Sequence, residues 1–296
     1  MRTLLSNGKA ACGVVMVVIT VVIAMLGPLF LGDPNAFVGV PLQPPSLDHW
    51  LGTTGQGQDV FTQTVAGARP TLIVAAAVGL GVTIIGAFVG AYGAFRGGRV
   101  DDVLSLITNV FLVLPGLPLM VVIAAWAPPG PVTIASVLIV TGWAWPARII
   151  RSQTLVLRNE AYVEAAIVAG DSPLRIVFAE LLPNMMSIVV SGLIGATVYA
   201  IGAQVGLEFL GLGDIGTVTW GTNLYWATND SALLTGSWWT FVPTGVAVAV
   251  VAFGLTLINF GIDEITNPKL QAAKRWSRHL PAGKARIGHT PVVPNE

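Results

Sequence analysis

Apolar residues run through this chain in blocks long enough to cross a bilayer, separated by shorter polar stretches. A helix needs about 20 apolar residues to span the hydrocarbon core. Six blocks qualify or nearly qualify: 11–31, 71–95, 104–126, 132–150, 187–210 and 241–262. Inside lipid the backbone must satisfy its own hydrogen bonds, so these blocks are predicted as helices. No segment shows the period-two alternation that a membrane barrel requires. The expected fold is an all-α polytopic membrane protein. The 11–31 block is too long for the apolar core of a signal peptide and lacks a clear cleavage site, so it is read as a retained span.

Charge supplies the direction. Only 10% of the 296 residues are charged, against about 25% in soluble domains. Basic residues collect on the side that attracts them in the cell, the cytoplasmic one. With the N-terminus inside, fourteen of the fifteen Lys and Arg residues fall at or near the inner side, and Arg69 alone falls outside. Asp33, Asp48, Asp59, Asp214 and Asp230 fall outside. The resulting layout is a cytoplasmic N-terminus (1–10), a first span (11–31), an extracytoplasmic segment (32–70), a core (71–268) and a cytoplasmic tail (269–296). The tail is expected to begin as a short helix over 270–278, with its basic residues near the inner leaflet.

Two places break the alternation of span and turn. The outer stretch 211–240 is too long for a turn and holds Trp220, Trp226, Trp238 and Trp239. It is either an aromatic belt at the lipid interface or a partly re-entrant cap that touches an external partner. The inner stretch 151–186 is helix-forming. Residues 159–169 contain no Gly or Pro, Gly170 stands where a helix would be capped, and Asp171 or Ser172 can cap a second helix with Pro173 at its first position. Leu174, Val177, Phe178 and Leu181 share one face of that second helix, and Pro183 would start the return into the next span. Within the third span, Pro115 and Pro118 are expected to kink the helix and could shape a gate.

Several chemistries are not supported. Cys12 is the only cysteine, and His49, His279 and His289 are scattered, so no metal-binding spacing exists. Gly8-Lys9 is the nearest fragment of a phosphate-binding loop, and it lacks the rest of the pattern. No catalytic residue, cofactor, ATP site or nucleic-acid partner is expected in this chain.

The inner stretch carries a resemblance. Glu164-Ala165-Ala166, three residues, Gly170-Asp171, then Leu182-Pro183-Asn184 resembles the EAA loop of ABC-importer permeases. The segments Leu51-Gly52-Thr53 to Asp59-Val60, Leu114-Pro115-Gly116-Leu117-Pro118, Gly206-Leu207-Glu208-Phe209-Leu210-Gly211 and Asn267-Pro268 resemble the "C" permeases of the dipeptide/oligopeptide importers. Together they cover about residues 46–270. Asn109 and Glu208 depart from that family's common residues, which makes them candidates to line the pathway. The resemblance implies a six-span type I permease fold in a bacterial inner membrane. It implies coupling through Glu164, Ala165, Ala166, Gly170, Asp171 and Pro183. It also implies a second related permease, two ATPases that bind ATP and Mg, and an extracytoplasmic solute-binding protein near Trp220 and Trp226. Peptides are the first expected cargo, with oligosaccharides, nickel chelates or glutathione as alternatives. A stand-alone secondary transporter would show charges inside its spans, and a membrane scaffold would tolerate changes at Glu164 and Gly170.

Overall fold

The computed structural model describes residues 7–266. The expected tail helix at 270–278, all of the tail's basic residues, and the Asn267-Pro268 pair lie outside the described residues. Helices account for every membrane block. They are α1 (Gly8–Phe30), α2 (Val60–Arg96), α3 (Gly98–Val113), α4 (Gly116–Trp126), α5 (Pro131–Gly142) and α6 (Ala144–Leu157). After the inner loop come α10 (Met186–Phe209) and, beyond the outer cap, α13 (Val242–Thr266). Five helical stretches are long and apolar enough to cross a membrane, and the bent α3–α4 pair makes six.

The second span begins eleven residues before the sequence block, at Val60 rather than 71. Asp59 caps it, accepting from the Thr62 N–H at 2.8 Å. Gln63, Val65, Gly67 and Ala68 are buried there; Gln63 and Gly67 meet the outer cap, whereas Val65 packs against Gly27 of α1. Polar residues that face protein hide a span's outer end from a hydropathy reading.

The third span is broken, not kinked. Its halves meet at 89°. Leu114 is driven extended by the proline after it (φ −64°, ψ 134°). Pro118 lies in the first turn of α4, where no backbone N–H has an intrahelical partner, so it bends nothing. The fourth span has a milder break at Trp143, because Pro146 has no N–H to give the Gly142 carbonyl. Trp143 is buried there, its ring edge-on to Phe111 at 5.3 Å.

The core sits between α2 and its neighbours. Val78, Val82, Leu138, Ala200 and Ile201 join α2, α5 and α10 in one buried cluster. Small residues set the distances. A Cβ on Gly86 would come within 2.8 Å of Pro146. Arg151 of α6 holds Asp101 of α3 through two bonds of 2.7 Å, Nε to Oδ1 and Nη2 to Oδ2, a forked pairing that also fixes orientation.

Candidate functional site

The inner loop forms a folded unit under the bundle. Its first helix, α7, spans Ala161–Val168 and ends at Ala169. Gly170 follows at φ +84°, a left-handed position that favours glycine. Its N–H donates to the Ile167 carbonyl at 3.0 Å, and the Asp171 N–H reaches back to the Ala166 carbonyl at 3.1 Å. This pair of bonds is a Schellman stop. Asp171 accepts a salt bridge from Arg175 at 3.2 Å, while Ser172 is the residue that caps α8 (Pro173–Arg175), accepting from the Arg175 N–H.

Beyond α8 the expected regular helix does not continue. Residues Ile176–Leu181 form a π-helical turn, followed by α9 (Leu182–Asn184) and then α10. The wider turn rotates the apolar face. Ile176, Val177 and Leu181 are buried, whereas Leu174 and Phe178, expected on the same face, are about half exposed. Pro183 sits in α9, and the return into the membrane starts at Met186.

Val163 anchors this unit. It is fully buried in a cluster with Ala87 and Ala91 of α2, Ile150 of α6, and Ile176, Val177 and Leu181. The opposite surface is open. Glu164, Ala165, Gly170 and Pro183 are exposed, Ala166 is half-buried, and Ile167, Val168, Leu174 and Phe178 add exposed apolar area. Arg158 fastens the loop's start to α2 by donating to the Ala94 carbonyl at 3.0 Å. Tyr162 is the second residue of α7, its phenol pushed up by burial and by the nearby carboxylates of Glu160 and Glu180.

Above the loop a cavity of about 1110 Å³ opens between α2, the α5–α6 junction and the inner half of α10. Ser187 and Asp263 mark its inner end; Thr83, Gly142 and Tyr199 lie deeper. Residues singled out for the pathway do not line it. Asn109, Pro115 and Pro118 are exposed on or beside the broken third span, which contributes Leu112 instead. Glu208 is 4% exposed and faces away from the cavity into the cap. It accepts from Gln204 Nε2 at 2.9 Å, Thr219 Oγ1 at 2.6 Å and the Gly221 N–H. The lining groups Thr83, Thr141 and Tyr199 were passed over because single hydroxyls inside apolar runs carry no spacing signature. The open glycines of α10, Gly192 and Gly195, were the available signal.

The outer stretch folds as a cap, with α11 (Trp220–Asn229), α12 (Ala232–Thr235) and a 3₁₀ turn (Trp238–Thr240). Its tryptophans divide. Trp220 is 1% exposed and donates through Nε1 to the Thr64 carbonyl of α2 at 2.9 Å, so it belongs to neither a lipid belt nor a partner surface. Trp239 donates to the Thr53 carbonyl at 3.2 Å, tying the cap to the first outer segment. Trp226 is half-buried, bonded to the Ile215 carbonyl, and Trp238 is exposed.

Asp230 ends α11 against that same outer segment. Burial pushes its carboxyl above the usual range, partly offset by the Gly55 N–H that it accepts, and its Oδ2 has no partner among the described residues. The folded cap therefore prefers the protonated form. Its stability is fullest below the unfolded carboxyl value of about 3.9 and falls as pH rises through the higher folded value. Asp230→Asn should raise the melting temperature at pH 7 and leave it unchanged at pH 4; equal melting of both proteins at pH 7 would refute this.

Relatives place these parts together. Residues 82–271 match the family described as "Binding-protein-dependent transport system inner membrane component". The chain is 33% identical over 277 residues to the dipeptide transport system permease protein DppC of Bacillus subtilis, covering 91% of this chain and 85% of that one. It is 30% identical to the oligopeptide transport system permease protein OppC of Bacillus subtilis, covering 90% and 87%. A putative peptide transport system permease protein of Brucella abortus, BruAb2_1032, is 32% identical, with 91% of each chain covered. With six helical spans, an exposed inner loop unit and a cavity above it, the chain belongs to the family of binding-protein-dependent transport system inner membrane components, the non-catalytic permease subunits of ABC importers.

Proposed function

We propose that this permease carries di- and oligopeptides, in a complex with a second related permease, two ATPases and an extracytoplasmic solute-binding protein. The observation that carries the coupling role is the division of the inner loop. Val163, Val177 and Leu181 lock it to α2 and α6, while Glu164, Ala165 and Val168 stand clear on the other side. An ATPase surface pressing on Glu164, Ala165, Ala166, Gly170, Asp171 and Pro183 would move a rigid unit rather than a floppy loop. The displacement would pass through Val163 and Arg158 to the inner half of α2.

ATP and Mg belong to those ATPases. The second permease supplies the wall that the cavity lacks beside Gly192 and Gly195, whose Cβ positions meet nothing within 4 Å among the described residues. Both termini lie in the cytoplasm, as the basic residues of the inner segments require. The solute-binding protein sits on the cap, where Trp226 and Trp238 are reachable and Trp220 is not. Trp220 and Trp239 serve as internal anchors, which weakens the case for sugar stacking and favours peptides. Pro115 belongs to the break in the third span, with Asn109 in α3 and Pro118 in the first turn of α4 on either side of it, and Glu208 acts as a strut to the cap.

Purification through a tag on this chain, in mild detergent, tests the reading. Two ATPases and a second six-span permease should copurify, and the reconstituted assembly should take up labelled trialanine only with ATP. A chain that purifies alone or as a homo-oligomer would sink the complex and bring back the secondary transporter.

A further inference from the structure

Threonine hydroxyls in these membrane helices turn back on their own backbone. Thr71, Thr108, Thr141, Thr154, Thr197 and Thr256 each donate to the carbonyl four residues earlier, at 2.7–2.9 Å. That bond is the ordinary way to satisfy a hydroxyl where water is absent. Thr83 does not make it. The residue is 6% exposed and lines the inner cavity, and its Oγ1 is shielded from solvent with no partner among the described residues. A buried hydroxyl without a partner is costly, so a chain that retains one has a reason to keep it free.

The position supplies a reason. Thr83 lies thirteen residues before Arg96, and Tyr199 thirteen after Met186, about 20 Å along each helix from its inner end. Both therefore sit deep in the cavity, well above Ser187 and Asp263. Tyr199 is 43% exposed, and its hydroxyl meets only the Met120 sulfur, at 3.6 Å. The intervening wall is mostly apolar: Val82, Gly142, Ala196. A hydroxyl donates and accepts, and a peptide backbone offers both an N–H and a carbonyl at every residue. Apolar surroundings strengthen such a bond because water does not compete for it.

We propose that the Thr83 hydroxyl, shielded beside the inner cavity in this state, turns into it and hydrogen-bonds the backbone of the peptide in transit. The contact reads the backbone rather than the side chains, so it suits cargo of varied sequence. The inference rests on the peptide-permease reading above.

The test uses the full complex in proteoliposomes, with labelled trialanine as the probe. Thr83→Val keeps the volume and removes the hydroxyl. Loss of one such bond is expected to lower uptake efficiency roughly two- to ten-fold. Basal ATP hydrolysis, subunit assembly and melting temperature should hold or rise, and Thr83→Ser should restore uptake. A Thr83→Val complex that matches the parent in uptake overturns the Thr83 contact alone. One that melts lower or assembles poorly assigns the hydroxyl to packing and overturns it as well. A parent complex that hydrolyses ATP but takes up no trialanine overturns the peptide reading, and the Thr83 contact with it.

Discussion

Gly170→Pro is expected to abolish ATP-coupled uptake, by ten-fold or more, while the chain still inserts and the ATPases still turn over. Proline fixes φ near about −65°, whereas Gly170 stands at +84°. The substitution also removes the N–H that donates to the Ile167 carbonyl at 3.0 Å. Both halves of the Schellman stop are lost together, because the Asp171 N–H can no longer swing back to Ala166. The loop is then free to run α7 on past Val168 or to fray it. Either way the exposed row of Glu164, Ala165 and Val168 changes its angle to Val163, which stays buried against α2 and α6. The damage is confined to geometry at the contact, since a Cβ at Gly170 would touch none of the described residues. Gly170→Ala, strained by roughly 1–2 kcal/mol, should give a partial version of the same uncoupling. Glu164→Lys reverses the exposed charge without altering the turn and should uncouple as well. Measuring uptake and ATP hydrolysis on the same vesicles separates coupling from folding. Normal coupled transport in both Gly170→Pro and Glu164→Lys would remove the docking role from this loop.

The parts of this site that were legible share a property: their physics is local. A glycine that ends a helix, a proline at a first turn and a serine that caps are written in adjacent residues, and Gly170, Pro173 and Ser172 all stand as their neighbours dictate. Hydropathy likewise located every span, since lipid exposure is a property of each segment by itself. The failures are all tertiary. Residues 60–70 read as an outer segment because Thr62, Gln63 and Thr64 are polar, but protein from the cap covers that end of α2. Leu174 and Phe178 shared a helical face with Val177 and Leu181 only at a period of 3.6, and the π turn changes the period. Pro118 looked like a kink because its position relative to the break at Leu114 depends on the fold of the third span. Thr83 was invisible. Nothing near it in sequence says that its hydroxyl forgoes the bond that Thr71 and Thr108 make.

Glu208 shows the same lesson with a larger consequence, and its replacement is the second large effect expected. As a departure from the family's common residue it suggested the pathway, yet it is the acceptor on which the cap's first helix is built. Thr219 caps α11 and Gly221 supplies the second N–H of that helix, so the carboxylate sits at the helix's positive end while belonging to α10. Gln204, one turn earlier on α10, adds a third donor. Glu208→Ala would leave the Gln204 amide, the Thr219 hydroxyl and the Gly221 N–H facing an apolar gap. Each orphaned donor costs about 1–3 kcal/mol. The Thr219 hydroxyl can turn to Thr222, 3.1 Å away, which recovers part of one. A net loss of about 3 kcal/mol is therefore expected from the other two donors. It should appear as a clearly lower melting temperature in detergent and as faster proteolysis within residues 211–240. Glu208→Gln keeps one oxygen but turns an NH₂ toward donors, so it should lie between the parent and Glu208→Ala. A pathway residue would give the opposite pattern, normal melting with altered uptake. If Glu208→Ala melts with the parent while trialanine uptake falls, the strut is wrong and the acid belongs to the pathway after all.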